Sequence, residues 1–173
     1  MRDRDQFISS AKTVVGLASI VNRLFLVAVT IGLAATWLSP ALFATILVKA
    51  DPAVDVPTAL TGVRLLMLVG VLMAVATDRL LVSLAAIVAS AGEGDPFLPA
   101  NAQRLQTVGW ALLTLQLLDI PSALLARFWP SLGSAAPNGD ISVGGWVATL
   151  MVFVLARVFA TGSDMRDELA GTV

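Results

Sequence analysis

The sequence contains no cysteine and no histidine among its 173 residues. These two absences exclude disulfide bonds, thiolate redox chemistry, haem held by histidine or cysteine, and zinc sites built on those ligands. Nucleophilic catalysis by a Ser-His or Cys-His pair is excluded for the same reason. The carboxylates are scattered at different depths and form no obvious acid–base pair. We therefore expect a protein that is not an enzyme, takes no cofactor and holds no metal.

Charged residues are also scarce. They make up 13% of the chain, whereas an ordinary soluble domain has about a quarter. Apolar residues make up 57%, and the mean hydropathy is +0.87. A chain this short cannot hide so much apolar surface in its own interior, so an apolar solvent must cover the rest. The net charge of −1 gives no overall field for nucleic acid, and we expect no direct nucleic-acid binding.

Four long apolar runs indicate four transmembrane helices. A crossing needs about 20 apolar residues, because the hydrocarbon layer is roughly 30 Å thick and a helix rises ~1.5 Å per residue. We place the spans at about 16–38, 61–83, 105–126 and 141–161. Pro40 ends the first helix, which leaves residues 41–48 as an apolar outer segment, re-entrant or interfacial. The second helix runs on past the membrane to a break that begins at Gly92.

The distribution of lysine and arginine predicts the orientation. Eight basic residues lie on the side of the termini, and three lie on the other side. This bias places both termini in the cytoplasm, in a multi-pass protein of the plasma (inner) membrane. The first apolar run is too long for a cleaved signal peptide, and Asp3 and Asp5 precede it. Residues 7–21 have helical spacing and either lie flat on the membrane or extend the first span.

A polar site is predicted in the outer half of the third span. Gln116 and Asp119 are three residues apart on one helix face, and Pro121 frees a backbone carbonyl near that face. An ionised carboxylate inside a bilayer needs a partner or water, and Arg64 and Arg127 lie near enough to reach it. Two interpretations stay open: a ligand or ion site, and a polar contact that fixes the register of the helices.

A second pair of charges lies deeper towards the cytoplasm. Asp78 follows Arg64 by 14 residues on the second helix, and Arg157 follows Ile141 by 16 residues on the fourth. The two side chains therefore lie at similar depths. We predict an ion pair between Asp78 and Arg157 across the helices.

Four segments are predicted to form a cytoplasmic platform, which is a surface for a partner protein. They are the N-terminal segment, the overhang of the second helix and the connector, both within about 84–104, and the tail 162–173. The candidate residues are Leu81, Leu84, Ile87 and Val88 in the overhang; Asp95, Pro96, Phe97, Pro99, Asn101 and Arg104 in the connector; and Leu169, Gly171, Thr172 and Val173 in the tail.

The platform also has plainer interpretations. The apolar face of the overhang can be covered by the chain's own N-terminal helix or tail, by a second copy, or by a cytosolic protein. The connector can be a hairpin that only sets the angle between two spans, with Asn101 as the N-cap of the third helix.

The connector from Gly94 to Leu105, with the sequence GDPFLPANAQRL, and the tail from Arg166 to Val173, with the sequence RDELAGTV, carry a family resemblance. Together they resemble the small bacterial membrane proteins of the domain-of-unknown-function 2975 family. The resemblance implies four spans with this connector after the second. Because genes of that family often lie beside a small helix-turn-helix regulator, it also implies a DNA-binding partner in the cytosol.

The sequence thus predicts an all-α fold, in which four transmembrane helices form a single-domain bundle with a cytoplasmic helical extension. The first functional hypothesis is a regulatory or adaptor protein that binds or signals to a cytosolic helix-turn-helix transcription regulator. The alternative is a small transporter or channel subunit that uses the polar site near Asp119. Four short spans rarely enclose a pathway alone, so the alternative requires a homo-oligomer. Membrane lipids are expected partners in either case.

Overall fold

A computed structural model describes residues 2–92, 98–129 and 142–170. Over these ranges the chain forms five α-helices and no strand. The helices are α1 (Arg2–Leu38), α2 (Pro40–Ala50), α3 (Val56–Gly92), α4 (Pro99–Phe128) and α5 (Val143–Ala170). Four of them contain a stretch long and apolar enough to cross a membrane: Ile8–Leu38, Val56–Gly92, Pro99–Leu125 and Val143–Met165. The predicted all-α class with four membrane-type helices is confirmed.

The helices extend beyond the predicted spans. α1 is continuous from Arg2, so residues 7–21 extend the first span. α3 is one helix of 37 residues that ends at Gly92, as the glycine-rich break predicts. The apolar segment after Pro40 forms α2, a separate helix of 11 residues with proline in its first turn and no buried residue. Proline cannot donate the backbone hydrogen bond that would continue α1, but it suits the first turn of a new helix.

α4 shows two effects of proline. The helix begins at Pro99, two residues before Asn101, so the predicted N-cap role of Asn101 is wrong. Proline is favoured at the first helical position because the N–H that it lacks is unpaired there in any case. Pro121 lies inside α4 without ending it. The next residue, Ser122, is buried, and its hydroxyl donates to the Leu118 carbonyl at 2.8 Å.

The most buried positions are occupied mainly by small side chains. Buried alanines include Ala59, Ala74, Ala76, Ala111 and Ala156, and buried hydroxyl residues include Thr36, Ser83, Ser90, Ser122, Thr149 and Ser163. Large apolar side chains such as Leu24, Trp37 and Leu150 are exposed. In water this arrangement would be unfavourable, but helices in lipid associate through small residues that allow close packing. The distribution is that of a membrane protein whose large side chains face an apolar solvent.

The chain forms two compact units. The first unit comprises the described residues of Met1–Asn22, Ala76–Thr114 and Ser142–Val173. The second comprises those of Arg23–Val75 and Leu115–Ile141. α1, α3 and α4 each contribute residues to both units.

Close approach of α1 and α3 characterises the second unit. A Cβ built on Gly32 would lie 3.4 Å from Met67 Cε, and one built on Gly70 would lie 3.6 Å from Val29 Cγ1. Ala74, one turn after Gly70, is 2% exposed. Gly70 and Ala74, which are four residues apart, therefore lie on a packed face of α3. Small residues at this spacing commonly allow close packing in membrane helix pairs.

Candidate functional site

A buried polar contact joins the end of α3 to the start of α4. The Asn101 side chain is 1% exposed, and its Oδ1 accepts hydrogen bonds from Ser90 Oγ at 3.0 Å and Arg104 Nη1 at 2.8 Å. Arg104 Nη1 also lies 3.2 Å from the Ala86 carbonyl. The Ser90 hydroxyl shares its proton between Asn101 and the Ile87 carbonyl at 2.9 Å. We call Ser90, Asn101 and Arg104 the clasp.

The clasp fixes both ends of the connector. It joins residues 11 apart in the chain, one in the last turn of α3 and the other in the first turn of α4. The Arg104 guanidinium also donates to the Ala86 carbonyl in the last two turns of α3, which adds a second contact between the two helices. Asn101 is too buried to touch a partner in this arrangement. Its predicted membership of the platform stays a prediction.

The overhang of α3 is partly covered by the chain itself. Leu81, Leu84, Ile87 and Val88 are each half-buried. A Cβ built on Gly92 would lie 3.5 Å from Ile8 Cγ2 and 3.6 Å from Lys12 Nζ, so the first turns of α1 lie beside the last turn of α3. The N-terminal helix α1 therefore covers part of the overhang, as one of the alternatives proposed.

Other platform residues fall largely outside the described part of the chain. Asp95, Pro96 and Phe97 lie outside it, as do Gly171, Thr172 and Val173. Leu169 belongs to α5, but its side chain is not among those described. Pro99 is exposed at the start of α4 and Arg104 is half-buried, so both adjoin the connector.

Arg64 was predicted to reach Asp119 in the outer polar site, but in the structure it contacts the end of α1. Arg64 Nη2 donates to the Thr36 carbonyl at 2.7 Å, and Nε donates to Thr36 Oγ1 at 3.2 Å. The guanidinium also lies over the Trp37 ring, with Cζ 3.9 Å from the ring centroid. These contacts hold Arg64 against the last turn of α1, where an arginine pairs well with unsatisfied carbonyls.

The remaining members of that site lie on α4. Gln116, Asp119 and Pro121 are half-buried, and Arg127 is exposed in the last turn. No contact among the described residues joins Arg64 to Asp119, so a polar site around Asp119 stays a prediction. The residues that the structure describes also include no group of three or more His, Cys, Asp or Glu side chains suited to a metal ion.

Asp78 and Arg157 both belong to the first unit. Asp78 is half-buried on α3, and Arg157 is exposed on α5. Arg157 lines a cavity of about 280 Å³ together with Gln103 and Gln106 of α4. The described contacts do not include an ion pair between Asp78 and Arg157, which stays a prediction.

Sequence reasoning missed one contact of the second unit. Trp129 Nε1 donates to the Thr58 carbonyl at 2.9 Å, and the indole ring lies on Gly62 of α3. The sequence analysis assigns no contact to Trp129. A glycine inside an apolar helical run was the available signal, because such a glycine often marks close approach of a neighbouring group.

Comparisons with known proteins give one match. No curated protein and no solved structure matches the chain. A family model described as a protein of unknown function (DUF2975) matches residues 43–173. The matched region begins in α2 and includes α3, α4 and α5 with the clasp. Because it covers well over half of the sequence, the chain belongs to the DUF2975 family.

Proposed function

We propose that this chain is a multi-pass protein of the inner membrane that binds or signals to a cytosolic partner through the platform. The partner class that the family resemblance implies is a helix-turn-helix transcription regulator. The observation that carries the proposal is the clasp. It ties the last turn of α3 to the first turn of α4, the two helix ends between which residues 93–97 of the connector lie in the sequence.

The length of α3 supports a surface outside the membrane. A helix of 37 residues is about 55 Å long, whereas the hydrocarbon layer is roughly 30 Å thick. With the termini on the cytoplasmic side, as the basic residues indicate, the excess length of α3 lies in the cytoplasm. α5, which continues to Ala170, adds a second helix end on that side.

The clasp also favours one conformation of the platform, the one in which α3 and α4 are held together. Separating α3 from α4 would leave the Asn101 amide and the Arg104 guanidinium with fewer partners, at about 1–3 kcal/mol for each buried group left unsatisfied. A stimulus that alters the platform must bind the altered arrangement more tightly by at least that amount. Signalling therefore consists of a shift between a clasped and an opened connector.

Co-purification in a mild detergent tests the proposal. We expect a cytosolic helix-turn-helix regulator to copurify with the wild-type protein and to be lost on Phe97→Ala in the connector. Asp55→Ala, which alters an exposed carboxylate in the loop between α2 and α3, is the matched control and should retain the regulator. If the wild-type protein never recovers the regulator, and deletion of the gene leaves the regulated promoter unchanged, the proposal is wrong.

A further inference from the structure

Arg157 lies in a groove between α4 and α5 that has room for a ligand. The groove has a volume of about 280 Å³, and its polar side chains are Arg157, Gln103 and Gln106. A water molecule in the liquid occupies about 30 Å³, so the space holds a group several times larger. Within the described part of the chain, the Arg157 guanidinium has no hydrogen bond or ion pair.

The packing of the two helices explains why the groove exists. The Phe153 ring lies on Gly109, where a Cβ would come within 2.9 Å of Cε1, and it meets Trp110 edge-on with centroids 5.4 Å apart. This contact holds α4 and α5 together along one stretch. Further along, Ala102, Ala156 and Ala160 line the groove with short side chains and leave the space open.

The chemistry of the lining favours a phosphate group. The guanidinium presents several N–H donors in a plane that matches two phosphate oxygens, and two glutamine amides add further donors. Among the residues that the structure describes, no carboxylate lines the groove. Ala102 and Gln103 lie in the first turns of α4, whose N-terminus also favours negative charge.

The depth of the groove favours a lipid as the source of that phosphate. Arg157 is four residues before Thr161, the end of the fourth predicted span, so it lies roughly 6 Å inside that end. Gln103 and Gln106 flank residue 105, where the third predicted span begins. Both estimates place the groove at the level of lipid headgroups on the side of the connector. Phe153 offers an apolar wall for the start of an acyl chain.

We infer that the groove of Gln103, Gln106 and Arg157 binds the phosphate of an anionic glycerophospholipid. The guanidinium pairs with the phosphate oxygens, and the glutamine amides donate to the remaining oxygens or to the glycerol. The site is separate from the clasp and does not depend on the partner proposed above.

Native mass spectrometry of the delipidated protein in a nonionic detergent measures this directly. We expect phosphatidylglycerol to bind with a Kd about tenfold below that of phosphatidylcholine, since the zwitterionic lipid offsets its phosphate charge. Arg157→Gln should abolish this preference. Gln103→Ala with Gln106→Ala should weaken it severalfold. Lys49→Gln is the matched control, because it removes an exposed positive charge on α2 that is not among the residues lining the groove.

An excess of inorganic phosphate in the same experiment distinguishes the two sources of phosphate. We expect a hundredfold excess to leave phosphatidylglycerol bound, because the acyl chains add affinity that free phosphate lacks. Displacement by inorganic phosphate would overturn the assignment to a lipid. An unchanged lipid preference in Arg157→Gln, or an equal loss in Lys49→Gln, would overturn the site itself.

Discussion

The indole ring of Trp129 lies on the backbone of Gly62, one helix turn after the Thr58 carbonyl to which its Nε1 donates. A Cβ built at position 62 would lie 2.5 Å from Trp129 Cδ1 and 2.8 Å from Cγ. These distances are shorter than carbon atoms tolerate, so glycine at position 62 allows the end of α4 to contact α3. The hydrogen bond at 2.9 Å fixes the orientation of the ring.

Gly62→Ala should therefore destabilise the protein. The added methyl group must displace the indole ring and lengthen its hydrogen bond, which we expect to cost about 1–3 kcal/mol. The free energy of unfolding in detergent micelles, followed by tryptophan fluorescence, measures the effect. Gly16→Ala is the matched control, because nothing lies within 4 Å of a Cβ at that position. If both variants are equally stable, the contact is unimportant.

Asn101→Ala should weaken the junction of α3 and α4. The substitution removes the shared acceptor of Ser90 and Arg104 from a buried position, and we expect a loss of about 1–3 kcal/mol. Asn101→Asp keeps an acceptor oxygen and adds a charge that suits Arg104, so it should retain more stability than the alanine variant. Hydrogen exchange of the last turn of α3, together with the unfolding free energy, measures the junction.

Thr107→Ala is the control for the clasp. It removes an exposed hydroxyl on the same helix that bonds only to the Gln103 carbonyl one turn earlier, so a change within about 0.5 kcal/mol is expected. A clasp of no structural importance would make Asn101→Ala as stable as this control.

Arg64→Lys should loosen the contact between α3 and the end of α1. The arginine bonds to both oxygens of Thr36 while its plane covers the Trp37 ring, and a lysine cannot do both. We expect a loss of about 1–2 kcal/mol in unfolding free energy. Arg127→Lys, at an exposed position, should change little. Equal stability of the two variants would contradict the assigned role of Arg64.

The sequence predicts the helices better than their ends. Long apolar runs identify four spans because the thickness of the bilayer sets their length. Pro121 lies within the third predicted span, and α4 continues through it, since neighbouring helices and hydroxyls in a membrane protein compensate for a lost backbone bond. Residues 7–21 are continuous with α1 because no helix-breaking residue separates them from the first span.

The contacts of individual polar side chains were harder to predict. Asn101 is a good N-cap residue in isolation, and only the approach of Ser90 on another helix reveals its buried role. Arg64 was predicted to reach Asp119, whereas its described contacts are with Thr36 and Trp37. A long side chain can reach several neighbours, and only the packing of the helices decides which one it contacts. Helical periodicity gives the face of a residue and not the identity of its neighbour on another helix.

The central claim is that four spans place both termini on the cytoplasmic side of the membrane. The chain has no cysteine, so each single substitution introduces the only thiol. Suitable positions are Gln6 on α1, Asp55 in the loop before α3, Asn138 between α4 and α5 in the sequence, and Asp164 on α5. A membrane-impermeant maleimide on intact spheroplasts should label Asp55→Cys and Asn138→Cys, whereas Gln6→Cys and Asp164→Cys should react only after permeabilisation. Labelling of the terminal positions in intact spheroplasts would contradict the topology and the function proposed from it.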